Sequence, residues 1–281
     1  MKHQSDTPIR AVGVIAEYNP FHNGHAYQLK KARELSGANY CIAAISGDFV
    51  QRGGPAVFDK YTRTAMALES GADLVVELPP IFASSSAEDF ASCGVALLDA
   101  LGVVSHLCFG SESGNLEELS SVADLLADES EEYQQVLRQH LKDGYPFPQA
   151  RAAAFSFCSP KTDPELLGQP NNTLGIEYLK AIKKQNSPVT PVTIKRMGSG
   201  YHEAVISSDQ PMASATAIRA VLENRTVDDF KESNLLLASQ IPPAALNLAR
   251  TRLPLTADDF SALLSFRFLE LDRQRTPLET F

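Results

Sequence analysis

Short apolar runs alternate with amphipathic stretches along most of the chain. Four runs, at residues 12–16, 40–46, 74–77 and 107–109, are each followed by a loop and a segment with helical periodicity, and a fifth strand is predicted at 191–196. Parallel strands that are buried on both faces appear as continuous apolar runs, and right-handed crossovers place them in one sheet. The pattern therefore predicts an α/β fold, a Rossmann-like doubly wound parallel sheet with helices on both faces.

Helical periodicity continues between and beyond these strands. It covers residues 115–143, stops at the prolines of 146–148, resumes at 149–157 and returns at 257–273. We therefore predict a sheet domain at 1–225 with a helical insertion at about 115–169, followed by the start of a helical C-terminal domain at 226–281. The helix after the first strand is predicted to bury Leu29, Ala32 and Leu35.

The sequence His22-Asn23-Gly24-His25 lies between the first strand and this helix. Two imidazoles three residues apart share one face of the first helical turn, where unpaired N–H groups and the helix dipole favour a phosphate. Gly24 leaves room for a ligand, so the pattern predicts a nucleotide site. The alternative is an ordinary helix start, capped by Asn23, with two solvated histidines.

Four residues, His22, Gly47, Glu77 and Gly110, lie just after predicted strands. Ligands of doubly wound sheets bind at the carboxyl ends of the strands, so we expect these four loops to meet at one crevice. The loop at 46–55 is rich in glycine and polar residues, which is typical of an active-site loop. Within it, Asp48 could hold a metal or a hydroxyl and Arg52 an anion, or both could be ordinary turn and surface residues.

A second phosphate site is predicted where residues 212–219 begin a helix rich in hydroxyl groups. Ser214 and Thr216 supply hydroxyls, and Arg219 can pair bidentately with phosphate oxygens. An ordinary helix cap explains the serine and threonine equally well. Arg196, which ends the preceding strand, is a further candidate phosphate ligand.

Asn171 and Asn172 begin another predicted helix. Either side chain could cap that helix, and either amide could recognise an adenine or ribose edge, because asparagine offers both a donor and an acceptor. The sequence alone leaves both interpretations open.

Composition narrows the function classes. The chain has 281 residues with a net charge of -9, which argues against general affinity for nucleic acid, so any such partner must be inferred from other features. No apolar run approaches the ~20 residues of a membrane span, so we expect a cytoplasmic protein without membrane contact. The four cysteines are isolated, so neither a disulfide framework nor a protein-bound metal site is predicted.

Six blocks of sequence, in this order, resemble the bacterial tRNA(Met) cytidine acetate ligase family, within the HIGH-type nucleotidyltransferase superfamily. The first block, at 14–25, and the Gln-Arg-Gly loop within 46–53 are the most specific. The others lie at 77–79, 109–112, 170–172 and 213–219. As the family's members continue well past 281 residues, this chain is expected to be truncated.

The resemblance implies a two-step reaction in which acetate and ATP give acetyl-adenylate, and the acetyl group passes to the wobble cytidine of elongator tRNA(Met), giving N4-acetylcytidine. It makes the sheet domain the ATP-binding catalytic domain, with His22 and His25 as cationic donors and Mg²⁺ expected on the phosphates. By family position the ATP contacts are Ile15, Ala16, Glu17, Tyr18, Asn19, Pro20, Phe21, His22, Asn23, Gly24, His25, Ala26, Tyr27, Gln28, Gly110, Asn171 and Arg196.

Two other function classes are compatible with the same residues. A cofactor adenylyltransferase, acting on phosphopantetheine or nicotinamide mononucleotide, shares the HxGH turn, and a non-catalytic RNA-binding module could retain the fold. A class I aminoacyl-tRNA synthetase is conceivable, with only a weak KMSKS-like loop at 195–199. The tail is locally basic through Arg250, Arg252, Arg267, Arg273 and Arg275, which is compatible with RNA contact.

Overall fold

The computed structural model describes residues 9–160, 163–196, 212–223 and 230–274. The strands are β1 Ala11–Ala16, β2 Tyr40–Ser46, β3 Leu74–Leu78, β4 Val104–Ser111 and β5 Thr190–Lys195. The helices are α1 Asn23–Ser36, α2 Lys60–Glu69, α3 Pro80–Ala83, α4 Ala87–Ala100, α5 Leu116–Ala127, α6 Glu131–Lys142, α7 Phe147–Cys158, α8 Pro170–Lys184, α9 Ala215–Glu223, α10 Phe230–Gln240, α11 Pro243–Arg250 and α12 Ser261–Gln274. Short 3₁₀ helices lie at Pro164–Gly168 and Ala257–Phe260.

The described strands form one parallel sheet in the order β3-β2-β1-β4-β5. Val14 of β1 lies opposite Ala43 of β2, and Gly13 lies opposite Leu107 of β4. The chain order reverses between β1 and β4, which makes the carboxyl ends of these two strands the expected ligand-binding point of such a sheet. The sequence-based prediction of a doubly wound parallel sheet is confirmed.

Alternate residues of each strand enter two separate hydrophobic cores, one on each face of the sheet. Ile15, Ile42 and Phe109 pack with α4, α5 and α8 on one face. Val14, Ala43 and Cys108 pack with α1, α2 and α9 on the other. Because both faces are covered, the strands need apolar residues at successive positions, which is why they appear as unbroken apolar runs.

The first helix differs from the prediction at one position. Leu29 and Ala32 are buried, but Leu35 is 53% exposed. Each residue turns an α-helix by about 100°, so Leu35 is rotated by about 120° from Leu29 and leaves the buried face. Gly37, in the left-handed region at φ 64°, then ends the helix.

The C-terminal segment is helical where it is described. Leu237 of α10 and Ala245, Leu246 and Ala249 of α11 enter the same core as α1 and α2, while most apolar residues of α12 are exposed. The domain boundary predicted at residue 225 lies within 224–229, outside the described residues. The division into a sheet domain and a helical C-terminal domain stays a prediction.

One glycine fixes the spacing between α8 and the sheet. A Cβ at Gly175 would come within 2.6 Å of Cε2 of Phe109, whose ring is buried. Exchanging glycine for alanine gains about 1 kcal/mol of helix propensity, but overpacking a core costs about 1–3 kcal/mol.

We expect Gly175→Ala to lower the free energy of unfolding by about 1 kcal/mol, measured by urea titration. The control is Gly54→Ala, because open space surrounds Gly54. It should change stability by less than about 0.5 kcal/mol. A Gly175→Ala variant more stable than the parent would show that this contact is not tight.

Candidate functional site

A cavity of about 690 Å³ opens at the carboxyl edge of the sheet, where β1, β4 and β5 end and where α1, α8 and α9 begin. A smaller pocket of about 50 Å³ adjoins it and shares several of its walls. Of the residues predicted to bind a ligand, the cavity is lined by Ile15, Ala16, Glu17, Tyr18, Asn19, His22, His25, Gln28, Gly110, Asn171, Arg196, Ser214, Thr216 and Arg219. Gly24 and Tyr27 line the smaller pocket.

Pro20, Phe21, Asn23 and Ala26 are not among the residues that line either space. Phe21 is fully buried in the core, with its ring 4.8 Å from that of Tyr18. Asn23 donates from Nδ2 to the carbonyl oxygen of Ser239 at 2.8 Å. The motif therefore divides into residues that face the cavity and residues that hold the loop against the core and α10.

The two histidines are built into the start of α1. Nδ1 of His22 accepts a hydrogen bond from the N–H of Gly24 at 3.0 Å, and Nδ1 of His25 accepts one from the N–H of His22 at 3.3 Å. This is a capping box in which imidazoles replace the usual hydroxyl and carboxylate. The ring centroids lie 3.8 Å apart, so the two imidazoles are in direct contact.

The hydrogen bonds determine where each imidazole carries its proton. Since each Nδ1 accepts from a backbone N–H, a neutral ring must hold its hydrogen on Nε2. Burial lowers the pKa of His22 to about 3, and it also lowers the pKa of His25 well below its ordinary value. In the ligand-free protein both rings are therefore neutral, with Nε2–H left as the donor for a ligand.

Two sequence-based interpretations of this motif are corrected. Asn23 is not the cap of α1, because His22 is the N-cap residue and Asn23 is the first helical residue. His22 is 5% exposed and packs against His25, so it is not a solvated side chain. Burial disfavours the charged form of both rings in the ligand-free protein, and their role as cationic donors to bound ATP stays a prediction.

The second predicted phosphate site lines the same cavity as the histidines. Arg219 donates from one guanidinium nitrogen to the carbonyl oxygen of Asn19 at 2.7 Å and from the other to Oγ1 of Thr216 at 3.2 Å. Ser214 accepts from the N–H of Ala217, so the capping interpretation is correct for this serine. Arg219 thus ties the start of α9 to the loop that carries the histidines.

Asn171 and Asn172 have different roles from helix caps. Gln169 is the N-cap residue of α8, and the asparagines lie inside its first turn. Oδ1 of the fully buried Asn172 accepts from the N–H groups of Glu112 and Ser113, at 2.9 and 3.1 Å. Asn171 lines the cavity, and its Oδ1 accepts from Arg196 at 3.3 Å. The capping prediction is therefore wrong for both.

Glu112 caps α8 instead, from the loop after β4. One carboxylate oxygen accepts from Nδ2 of Asn171 at 2.6 Å and from its N–H at 3.2 Å, and the other accepts from the N–H of Asn172 at 2.7 Å. The carboxylate therefore fixes the amide of Asn171 and, through it, Arg196. Its partners are about sixty residues away, so no local sequence signal could have assigned it this role.

Arg63 of α2 is a second residue that the sequence did not single out. Its guanidinium is fully buried and donates to the carbonyl oxygens of Phe58, Glu17, Ser46 and Gly47. It joins the loops after β1 and β2 to α2. The signal that could have found it is its spacing from Met66 and Ala67, three and four residues on, which puts it on the buried face of the helix.

The prediction that four loops meet is partly correct. Residues 50–52, 54 and 55 of the loop after β2 line the cavity together with the loops after β1 and β4, but Gly47 and Glu77 do not. Glu77 instead binds Nζ of Lys60 at 2.8 Å. Asp48 accepts from the N–H of Lys60, so it acts as a turn residue, whereas Arg52 lines the cavity.

Glu17 is the acidic residue among the described cavity walls. Its Oε1 accepts from the N–H of Gln51 at 3.0 Å. Burial raises the pKa of this carboxyl, although nearby Arg219, Arg52 and Arg63 oppose the shift. Within the described ranges, no cluster of three or more histidine, cysteine, aspartate or glutamate side chains is arranged to hold a metal ion.

The described arginines of the tail are not among the residues that line the cavity. Arg252 reaches Oγ1 of Thr62 at 3.4 Å and Arg267 pairs with Glu270, while Arg275 and residues 197–199 of the KMSKS-like segment fall outside the described residues. None of the helices that the structure describes combines the length and apolarity of a membrane span.

Comparison with known proteins identifies the relatives of this chain. Residues 9–278 match the family model described as HIGH Nucleotidyl Transferase. A tRNA(Met) cytidine acetate ligase of Caldanaerobacter subterraneus subsp. tengcongensis is 40% identical over 277 residues, covering 96% of this chain and 66% of that protein. One of Acetivibrio thermocellus is 37% identical over 276 residues, covering 96% of this chain and 64% of that protein. This chain therefore spans slightly less than two-thirds of these relatives.

Solved structures agree with these matches. The Thermotoga maritima TmcAL structure bound with alpha-thio ATP is 38% identical, with a TM-score of 0.80 over 92% of this chain and 60% of that one. The apo structure of the same protein has a TM-score of 0.82. The resemblance drawn from the six sequence blocks is confirmed.

The lowered pKa values of His22 and His25 predict a specific dependence of stability on pH. The unfolded chain binds protons at these rings near their ordinary pKa of 6.5, whereas the folded chain does not. Stability must therefore fall as the pH drops below about 6.5, by up to about 1.4 kcal/mol per pH unit for each ring.

We expect His22→Asn to lose less stability than the parent between about pH 7 and about pH 5, measured by urea unfolding. Asparagine keeps an oxygen that can accept from the N–H of Gly24, so the cap is retained while the titrating group is removed. Parallel pH profiles for the two proteins would contradict a lowered pKa at His22.

Proposed function

The chain belongs to the HIGH nucleotidyl transferase family, and on that premise we propose that it is an ATP-dependent ligase that activates acetate. A carboxylate oxygen of acetate attacks the α-phosphorus of ATP, the bond to the leaving pyrophosphate oxygen breaks, and acetyl-adenylate forms. The observation that carries the proposal is one cavity lined by two imidazoles, each with Nε2 left as its donor, and by Arg196 and Arg219.

This arrangement suits the charge that develops in the reaction. Negative charge builds on the equatorial and leaving oxygens, and donors already fixed in place stabilise it without reorganisation. His22 and His25 donate from Nε2, and Arg196 and Arg219 provide positive charge. Since a nearby anion raises the pKa of an imidazole, binding of the triphosphate shifts the pair toward the charged form.

Mg²⁺ fits the cavity as a companion of the phosphates. Mg²⁺ keeps several waters and is usually bound by one or two carboxylates together with substrate phosphates, so no cage of protein ligands is needed. Glu17 lines the cavity and is the residue that would hold the ion. The ion would supply neutralisation of the phosphate oxygens when bound.

In the second step, we propose, the exocyclic amine of the wobble cytidine in elongator tRNA(Met) attacks the acetyl carbon, AMP leaves, and N4-acetylcytidine forms. The names of the relatives support this substrate. A tRNA substrate also agrees with the cytoplasmic location expected from the sequence. Because the chain covers less than two-thirds of those relatives, tRNA acetylation needs a test separate from acetate activation.

The first step is tested by isotope exchange between ATP and pyrophosphate. Four parallel reactions contain acetate, phosphopantetheine, nicotinamide mononucleotide or no addition, and we expect exchange only with acetate. Exchange only with a phosphorylated cofactor would instead identify a cofactor adenylyltransferase. Absence of exchange in all four would favour a non-catalytic RNA-binding protein. Labelled acetate with ATP and purified elongator tRNA(Met) then tests transfer.

Removing one imidazole should slow activation strongly. We expect His25→Ala to lower acetate-dependent exchange by two orders of magnitude or more, because loss of one such donor costs about 3 kcal/mol of barrier. The control is His140→Ala in α6, whose ring contacts Tyr145 and does not line the cavity. Near-normal exchange in a folded His25→Ala protein would remove the role assigned to His25.

A further inference from the structure

One part of the cavity wall, which we call the apolar corner, consists of hydrophobic side chains and one tyrosine. Ile15 and Ala16 at the end of β1, Phe90 of α4, and Leu174 and Tyr178 of α8 form its walls. Ile15, Phe90 and Tyr178 are 7%, 2% and 4% exposed. These side chains are apolar apart from the hydroxyl of Tyr178, so the corner suits the uncharged part of a small ligand.

The hydroxyl of Tyr178 is the polar group of this corner. Although the residue is almost completely buried, no hydrogen bond to its hydroxyl is found among the described residues, yet it lines the cavity. Because this hydroxyl lines the cavity and has no partner among the described residues, it is available to donate a hydrogen bond to a ligand.

The ring of Tyr178 is held in one orientation. Its centroid lies 5.8 Å from that of Phe109, at an interplanar angle of 55°. Phe109 in turn packs against Gly175, one turn before Tyr178 on α8. The hydroxyl is therefore a donor fixed by packing, which is what recognition of a small ligand requires.

We infer that this corner is the acyl subsite, and this inference rests on the proposed function. The alkyl group of a short-chain carboxylate packs against Ile15, Phe90 and Leu174, and the hydroxyl of Tyr178 donates a hydrogen bond to a carboxylate oxygen. The same contact passes to the acyl carbonyl oxygen once the acyl-phosphate bond forms and pyrophosphate leaves. No covalent bond of Tyr178 forms or breaks in this reaction, so Tyr178 is a binding residue.

The charges around the corner are compatible with the binding of acetate near the carboxylate of Glu17. Burial raises the pKa of Tyr178 and the nearby Glu17 raises it further, and a carboxylate at that position would repel acetate. Arg52, Arg63 and Arg219 surround Glu17 with opposite charge, however, and its Oε1 is already bonded to the N–H of Gln51. These arginines therefore offset the negative charge of Glu17 that the carboxylate of the substrate would otherwise meet.

The test compares Tyr178→Phe with the parent in the exchange assay, with acetate and ATP varied separately. Loss of a hydrogen bond to a charged group should raise the KM for acetate by roughly 10- to 100-fold and leave the KM for ATP within about twofold. The control is Tyr133→Phe, which removes a buried hydroxyl outside the cavity and should change neither constant.

A second variant tests the apolar wall. Leu174 is only partly buried, so Leu174→Ala should fold, and it enlarges the corner. We expect the ratio of kcat/KM for propionate over acetate to rise by about tenfold or more, because one methylene in an apolar pocket is worth 10- to 200-fold.

The outcomes separate this inference from the proposed function. If the parent protein shows acetate-dependent exchange and Tyr178→Phe leaves the KM for acetate unchanged, the subsite is wrong and the proposed function stands. If Tyr178→Phe affects only transfer to tRNA, the corner holds the nucleobase and the inference is also wrong. If the parent itself shows no acetate-dependent exchange, the proposed function fails first.

Discussion

The site depends on how two backbone N–H groups at the start of α1 are satisfied. Their acceptors are Nδ1 of His22 and Nδ1 of His25, so the helix start and the protonation of the imidazoles are one structural feature. An aspartate cap would satisfy the same N–H groups and leave no donor for a ligand. With imidazoles the cap faces the backbone through one nitrogen and presents Nε2–H through the other.

Two charged side chains, the fully buried Arg63 and the partly buried Glu112, hold the loops around this helix start. Arg63 gathers carbonyl oxygens from the loops after β1 and β2, and Glu112 joins the loop after β4 to the first turn of α8. Both have several hydrogen-bond partners, which for Arg63 is the condition under which a buried charge is tolerated. Each side chain therefore joins segments that are distant in the sequence.

What the sequence could predict depended on whether the signal was local. The strands and the HxGH helix start were predictable, because apolar runs and cap spacing are read within a few residues. Leu35 was misassigned because a spacing of six residues rotates a side chain off the buried face. The sequence left the roles of Asn171 and Asn172 open and gave Glu112 no role in capping, for a different reason. Their partners lie about sixty residues apart, so only the folded chain shows the pairing.

The starts of three helices, α1, α8 and α9, meet at the cavity, yet they differ in what they offer an anion. The first turn of α8 is bonded to the Glu112 carboxylate, whose negative charge offsets the helix dipole. The starts of α1 and α9 are capped by the neutral groups of His22 and Ser214. A phosphate is therefore attracted toward α1 and α9 and not toward α8. This asymmetry leaves the α8 side of the cavity, with Leu174 and Tyr178, to the less charged part of the substrates.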